Sequence, residues 1–110
     1  KKDAEDQKFL LRFLKDNKAK FKFNNPETLK KLWEWDKKGH CIILTTGRKE
    51  GMRKSTEAQL RRAGIIYDKL IMGIGGGARV LINDLKPDRP GDTATAINLK
   101  RDTGVGNLEI

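Results

Sequence analysis

The sequence predicts an α/β layer fold with a mostly parallel sheet, formed by a single domain of 110 residues. The first observation is the unbroken apolar run of residues 41–44, because a short run without alternation is typical of a strand buried on both faces. The second is that runs of this kind alternate with helical patterns along the chain, as they do in proteins with parallel sheets. The third is a length close to that of one ordinary domain.

Three elements are predicted before the apolar run. Apolar residues at helical spacing predict an amphipathic helix over residues 5–18, and the period-two pattern of residues 20–23 predicts a short strand. A second helix begins at Pro26, after asparagines that can cap it, and ends at Gly39. Its predicted buried face consists of Leu29, Leu32 and Trp33, and only one of the two tryptophans, Trp33 and Trp35, can lie in the core.

The second half of the chain repeats the alternation. The predicted elements are, in order, a helix at about residues 52–63 ended by Gly64, a strand at residues 70–72, a glycine-rich loop at residues 73–78, a strand at residues 80–82 and a last strand at residues 95–99. The tail at residues 103–107 is rich in glycine and is predicted to be loosely ordered.

The composition favours anionic partners. Lysine and arginine outnumber the acids by 24 to 15, which gives a net charge of +9. No run of five or six basic residues occurs, so a solvated surface explains them better than a nucleic-acid face. A single cysteine excludes an internal disulfide and a structural zinc site. With no long apolar stretch and a polar start, we expect a cytoplasmic protein without a membrane partner.

Polar side chains follow two of the predicted strands. Thr45 and Thr46 come directly after the first apolar run, whereas Asn83 and Asp84 follow the strand at residues 80–82. A cation, Lys86, lies two residues further on. Because open α/β sheets place their ligands at the carboxyl ends of strands, we expect hydroxyl, carboxylate and cation to converge there. The sequence therefore predicts an oxyanion site.

The glycine-rich loop invites a different interpretation. Residues 73–78 fit the pattern G-x-G-x-x-[GA] of dinucleotide-binding proteins, but that site needs a helix next and a strand is predicted here. We therefore reject dinucleotide binding. Two interpretations stay open: a flexible turn, or a loop whose backbone amides and Arg79 line an anion pocket. The sequence contains no P-loop, zinc-ligand spacing or nucleophile elbow.

The order of these motifs resembles that of the haloacid dehalogenase-like (HAD) phosphohydrolase superfamily, in particular its small members without a large cap domain. The resemblance covers residues 26–110 and is carried mainly by residues 42–48 and 79–87, with residues 64–73 also similar. It implies a three-layer Rossmann-like fold, Mg²⁺ as the cofactor and a phosphorylated small molecule as the substrate.

The resemblance also implies a phosphate-binding set. In this family a Thr or Ser just before a Gly-Arg or similar pair holds the phosphoryl group through its hydroxyl. Thr46 matches that position, with Thr45 as the second choice. Together with Gly47 and Arg48, these two threonines are the implied phosphate-binding residues.

The resemblance assigns charge compensation and metal binding to the residues around the end of the predicted strand at residues 80–82. The family uses a Lys or Arg to steady the charge of phosphate and nucleophile, for which Arg79 is the nearest match and Lys86 the alternative. With Thr46, these are the implied catalytic residues. An acidic pair at a strand end holds Mg²⁺ in the family, so Asp84 is the firmer implied ligand and Asn83, an amide, the weaker one.

The first family motif is missing. It is an apolar strand ending in Asp-x-Asp, which supplies the nucleophile and the acid/base, and no Asp-x-Asp occurs in this sequence. Asn24 and Asn25 are the nearest substitutes, but amides can neither attack phosphorus nor shuttle a proton. Either the first central strand precedes Lys1 and the fold lacks it here, or residues 19–23 fill its place. We favour the first explanation.

Three functions follow from these expectations. The first is a Mg²⁺-dependent phosphohydrolase that in its complete form works through an aspartyl-phosphate, although this chain lacks the nucleophile motif. The second is a non-catalytic HAD-like binding or regulatory module. The third is a basic nucleic-acid-binding domain, ranked last because the basic residues do not cluster.

Overall fold

The computed structural model describes residues 26–101 and 103–110, together with the backbone of residues 8–14. Three parallel strands form its sheet in the order β1-β2-β3, and they are β1 (Lys8–Leu14), β2 (Cys41–Thr46) and β3 (Lys69–Ile71). Helix α1 (Pro26–Lys37) precedes β2, and a short 3-10 turn (Glu50–Met52) leads into helix α2 (Arg53–Arg62), which precedes β3. The described chain is an α/β arrangement with a parallel sheet, as the sequence predicts.

Strand β1 lies where the spacing of residues 5–18 predicts a helix, so that prediction is wrong for residues 8–14. β1 pairs with β2 from Lys8, opposite Cys41, to Leu14, opposite Thr46. The spacing fits both structures, because the same residues form a nearly continuous apolar run of strand length. A strand here gives the backbone groups along one edge of β2 their hydrogen-bond partners, which a helix could not do.

The resemblance implies that the first family strand lies between the strands of the second and fourth motifs, and β1 occupies that place beside β2. Because β2 has β1 on one side and β3 on the other, the favoured explanation is wrong for this sheet. The alternative strand at residues 19–23, the predicted strand at residues 20–23, and the caps Asn24 and Asn25 lie outside the described residues.

Both helices end at a glycine, as predicted. Gly39 and Gly64 have φ angles of 93° and 77°, in the left-handed region that favours glycine. After α1, the Gly39 N–H donates to the Asp36 carbonyl (3.0 Å) and the His40 N–H to the Trp35 carbonyl (3.1 Å), and the equivalent pair of bonds follows α2. This Schellman pattern satisfies the last carbonyls of each helix and turns the chain towards the next strand.

One hydrophobic core joins both helices to one face of β2. Ile42 and Leu44, two residues apart on β2, are fully buried in it. The helices contribute Leu32, Trp35 and Leu60. Trp35 is 3% exposed and Trp33 is 51% exposed, so one tryptophan lies in the core as expected, but it is not the predicted Trp33.

Beyond β3, residues 72–101 and 103–110 contain no helix or strand. The predicted strands at residues 80–82 and 95–99 are therefore wrong for this structure. Val80, Leu81 and Ile82 are 83%, 63% and 91% exposed. An apolar pattern favours a strand only where a neighbouring edge can accept it, and no strand in the described part of the sheet pairs with these residues.

The C-terminal tail is anchored, contrary to the prediction of a loosely ordered segment. Val105 is 4% exposed and belongs to the hydrophobic core. Its N–H donates to the Thr28 Oγ1 of α1 at 3.1 Å, and Gly106 lies against Glu27. One buried apolar side chain and one hydrogen bond thus hold the tail to the first turn of α1, which the glycine-rich pattern does not reveal.

Candidate anion site at the carboxyl end of strand β2

The two threonines that the sequence singles out lie at the carboxyl end of β2, the central strand. Thr46 is fully buried, and its Oγ1 accepts a hydrogen bond from the Arg48 backbone N–H at 3.2 Å. Its carbonyl accepts a bond from the Ile74 N–H at 2.9 Å. Thr45, half-buried, stands opposite Ile71 of β3. The strand end is therefore fixed from two sides, by the turn at Gly47 and by the segment that follows β3.

The Arg48 side chain is buried against α2. The residue is 2% exposed, and its Nη1 donates to Thr56 Oγ1 at 3.0 Å and to Gln59 Oε1 at 2.6 Å. Its carbonyl accepts a bond from the Gly73 N–H at 2.7 Å. The guanidinium therefore joins the turn after β2 to the inner face of α2.

Both side-chain acceptors of Arg48 are neutral. In residues 26–101 and 103–110, no carboxylate forms an ion pair with Arg48, and its Nε is buried without a hydrogen-bond partner. A guanidinium keeps its charge at any ordinary pH, and a buried charge is costly unless an opposite charge compensates it. The carboxyl end of β2 thus carries a buried positive charge that an anion would stabilise.

A second arginine nearby, Arg53, is paired with carboxylates, as charged arginines in proteins usually are. Arg53, at the start of α2, donates from Nε to Glu50 Oε1 at 2.8 Å and from Nη1 to Glu57 Oε2 at 3.3 Å. A further bond from Nη2 to the Leu70 carbonyl, at 3.0 Å, ties α2 to β3. The hydrogen bond from Arg53 lowers the pKa of Glu50, and the same bond raises the pKa of Arg53. Arg53 is therefore compensated by carboxylates, whereas Arg48 is not.

The other predicted site residues lie on the exposed segment at residues 75–101. Asn83 Nδ2 donates to Thr93 Oγ1 at 2.9 Å, and the Thr93 hydroxyl donates to the Asp84 carbonyl at 2.7 Å. Arg79 bonds the Gly77 carbonyl, and Lys86 is exposed. The structure thus places the implied phosphate-binding residues at the end of β2, and it keeps the implied metal ligands and cations within a separate exposed segment.

The residues available for a metal are few. Among the described residues, no group of three or more His, Cys, Asp and Glu side chains is placed to hold a metal ion. Asp84 offers one carboxylate, and the Asn83 amide, whose nitrogen faces Thr93, leaves its oxygen for another ligand. Mg²⁺ is commonly held by one or two carboxylates together with water and substrate phosphate. The carboxylate of Asp84 and the amide oxygen of Asn83 are donor types that Mg²⁺ accepts.

A concavity lies between the end of α2 and the start of β3. This cavity of about 240 Å³ is lined by Glu57, Arg61, Ile65, Ile66 and Tyr67. Partial burial raises the pKa of the Tyr67 hydroxyl, and the Glu57 carboxylate acts in the same direction. Because β3 begins here, the cavity lies towards the amino end of the parallel sheet, away from the threonines.

Sequence reasoning missed the residues that hold Arg48. Thr56 and Gln59 lie three residues apart on one face of α2, a spacing that indicates a shared helix face but no particular partner. Gly73, whose N–H bonds the Arg48 carbonyl, belongs to the glycine-rich loop, for which an anion pocket was one interpretation. Nothing in the local sequence indicates that these residues meet around a buried guanidinium.

Comparison with known proteins gave no relatives, since no family model, curated protein or solved structure matches this chain. None of the described helices has both the length and the apolar character that crossing a membrane requires.

Proposed function

We propose that the carboxyl end of β2 binds the phosphoryl group of a phosphate monoester, and that the complete protein is a Mg²⁺-dependent phosphohydrolase of the HAD type. The observation that carries the proposal is the buried guanidinium of Arg48, two residues after Thr46, with only neutral hydrogen-bond acceptors in the described chain. Ligands of parallel α/β sheets bind at this edge of the sheet, and the chain carries a net charge of +9.

The phosphoryl oxygens would be bound by Thr45, Thr46 and the backbone of Gly47. The Thr46 hydroxyl oxygen accepts from the Arg48 N–H, which fixes this hydroxyl at the turn after β2. Arg48 supports the bound anion through its charge, because its side chain is directed into the contact with α2. In this arrangement the two threonines contact the phosphoryl oxygens, and Arg48 stabilises the anion electrostatically.

The second half of the proposed site, Asp84 and Asn83, lies in the exposed segment at residues 75–101. When this segment lies against the end of β2, the two residues would hold Mg²⁺, which would add positive charge for the phosphoryl oxygens. Arg79 or Lys86, in the same segment, would offset the remaining charge. The three-layer Rossmann-like HAD fold is part of the same proposal.

Binding and hydrolysis are tested separately on the chain as it stands. Calorimetry with inorganic phosphate and Mg²⁺ should detect binding that Thr46→Val abolishes and Thr46→Ser retains. Hydrolysis of p-nitrophenyl phosphate should be absent, because the sequence contains no Asp-x-Asp to attack phosphorus. Phosphate binding that is unchanged in Thr46→Val would contradict the proposed site, and Mg²⁺-dependent turnover by this chain would contradict the missing nucleophile.

One observation favours a second candidate, a phosphate-binding module without catalysis. β1 occupies the place beside β2, and the residues that follow it in the sequence are Lys15, Asp16 and Asn17 rather than an Asp-x-Asp motif. The two candidates differ in their activity towards aryl phosphates. The phosphohydrolase requires an aspartate nucleophile from outside the described residues and turns these esters over in its complete form, whereas the module binds phosphate and never hydrolyses its esters.

A further inference from the structure

The partner that α2 offers to Arg48 is an amide where a carboxylate would fit. Gln59 Oε1 lies 2.6 Å from Arg48 Nη1, a distance at which a glutamate at the same position would form a close ion pair. Six residues earlier on the same helix, Arg53 bonds two glutamates. The chain thus compensates the more exposed arginine with carboxylates and gives the buried one neutral acceptors.

We propose that Gln59 is a residue that determines anion affinity, because its neutral amide holds the Arg48 guanidinium in place without cancelling its charge. The inference rests on the proposed function, since it takes the ligand to be a phosphoryl group at the end of β2. Gln59 is a positioning residue: it reaches Arg48 and makes no contact with the ligand itself. Thr56, fully buried, is the second neutral acceptor and acts in the same way.

The physical reason lies in the burial of the charge. Inside a protein the local dielectric is lower than in water, so a buried positive charge acts on a neighbouring anion with little screening. A carboxylate on α2 would compensate that charge within the protein and leave less of it for a ligand. Neutral acceptors satisfy two hydrogen bonds of the guanidinium and preserve its field. The same arrangement leaves the unliganded fold less stable than one with a compensating carboxylate.

The decisive variant is Gln59→Glu, which changes one charge at nearly constant shape. It should raise the midpoint of thermal unfolding and weaken the binding of inorganic phosphate at least about tenfold, a loss of about 1.4 kcal/mol. The matched control is Lys54→Gln at an exposed position of α2, which changes the net charge by the same amount. Its phosphate affinity should stay close to that of the original chain at equal ionic strength. Gln59→Leu removes the hydrogen bond without adding charge, so it should destabilise the fold and weaken phosphate binding by less than Gln59→Glu does.

The outcomes separate this inference from the proposed function. If the original chain binds no phosphate, the proposed function fails and the inference fails with it. If the original chain binds phosphate and a folded Gln59→Glu variant binds it equally well, only the inference is wrong. Should Gln59→Glu not fold, Thr56→Asp places a carboxylate against the same Arg48 nitrogen. Undiminished phosphate binding in that variant overturns the inference in the same way.

Discussion

Replacing Gly106 by alanine should detach the C-terminal tail from α1. A Cβ built on Gly106 lies 2.5 Å from the Cβ of Glu27 and 3.4 Å from its carbonyl carbon. Neither atom can move aside like the end of a flexible side chain, because both belong to or adjoin the helix backbone. Gly106 is not among the glycines with positive φ, so the effect comes from packing and not from backbone strain.

The size of the effect follows from what holds the tail. Forcing an extra carbon into a packed contact costs about 1–3 kcal/mol. If the tail leaves α1 instead, the protein loses the burial of Val105, which contributes about 1.5–3 kcal/mol. The hydrogen bond from Val105 to Thr28 is lost with it. Since each kcal/mol corresponds to a shift of about 4–8 °C for a domain of this size, the unfolding midpoint should fall by at least about 4 °C.

The assay is thermal unfolding followed by circular dichroism, with Gly51→Ala as the control. Gly51 has no atom within 4 Å of a built Cβ and no positive φ. Its replacement should leave the midpoint unchanged or raise it slightly, because alanine restricts the unfolded chain. Equal midpoints for Gly106→Ala and the original chain would refute the docking of the tail on α1.

Three further predictions concern the core, the sheet and the cavity. In urea titrations, Trp35→Ala should lower the free energy of unfolding by about 3–5 kcal/mol, and Trp33→Ala should lower it by no more than about 0.5 kcal/mol. Similar losses for the two variants would contradict the finding that Trp35 is buried and Trp33 is not. Asp68→Ala removes the acceptor of the Ile42 N–H, a part-buried bond of 2.7 Å, and should lower the free energy of unfolding by about 0.5–1.5 kcal/mol. An unchanged free energy of unfolding would contradict a contribution of this bond to stability. Because burial raises the pKa of Tyr67, the folded state disfavours its ionised form, and stability should fall as the pH rises above about 10. In the Tyr67→Phe variant this part of the loss of stability should be missing. Identical curves of stability against pH for the variant and the original chain would contradict an effect of the raised Tyr67 pKa on stability.

The helices could be predicted because their signals are local. Pro26 begins α1, and the left-handed glycines Gly39 and Gly64 end the two helices with the hydrogen bonds that such ends require. β2 could be predicted for a similar reason, since an uninterrupted apolar run of this length suits a strand buried on both faces.

The remaining strands depend on partners that the local sequence does not specify. The apolar pattern of β1 suits a helix or a strand, and the parallel pairing with β2 decides between them. The pattern at residues 80–82 is just as apolar, yet no neighbouring strand pairs with it and the side chains stay exposed. Strand formation is a property of the pair of segments, which a pattern in one segment cannot establish.

Only the part of the candidate site that is local in the sequence could be predicted. Thr45, Thr46, Gly47 and Arg48 are adjacent in the sequence, so a strand end necessarily brings them together. The environment of Arg48 arises from contacts with α2, eight and eleven residues away. The meeting of this strand end with Asp84 depends on sheet assembly and stays a prediction.

The most direct test of the account is a titration of the chain with inorganic phosphate, followed residue by residue in amide proton–nitrogen correlation spectra at constant ionic strength. A phosphate site at the end of β2 predicts saturable shifts of the Gly47 and Arg48 amide signals, with sodium chloride producing none. Shifts confined to the basic, exposed residues 79–101, or no shift at any residue, would contradict it.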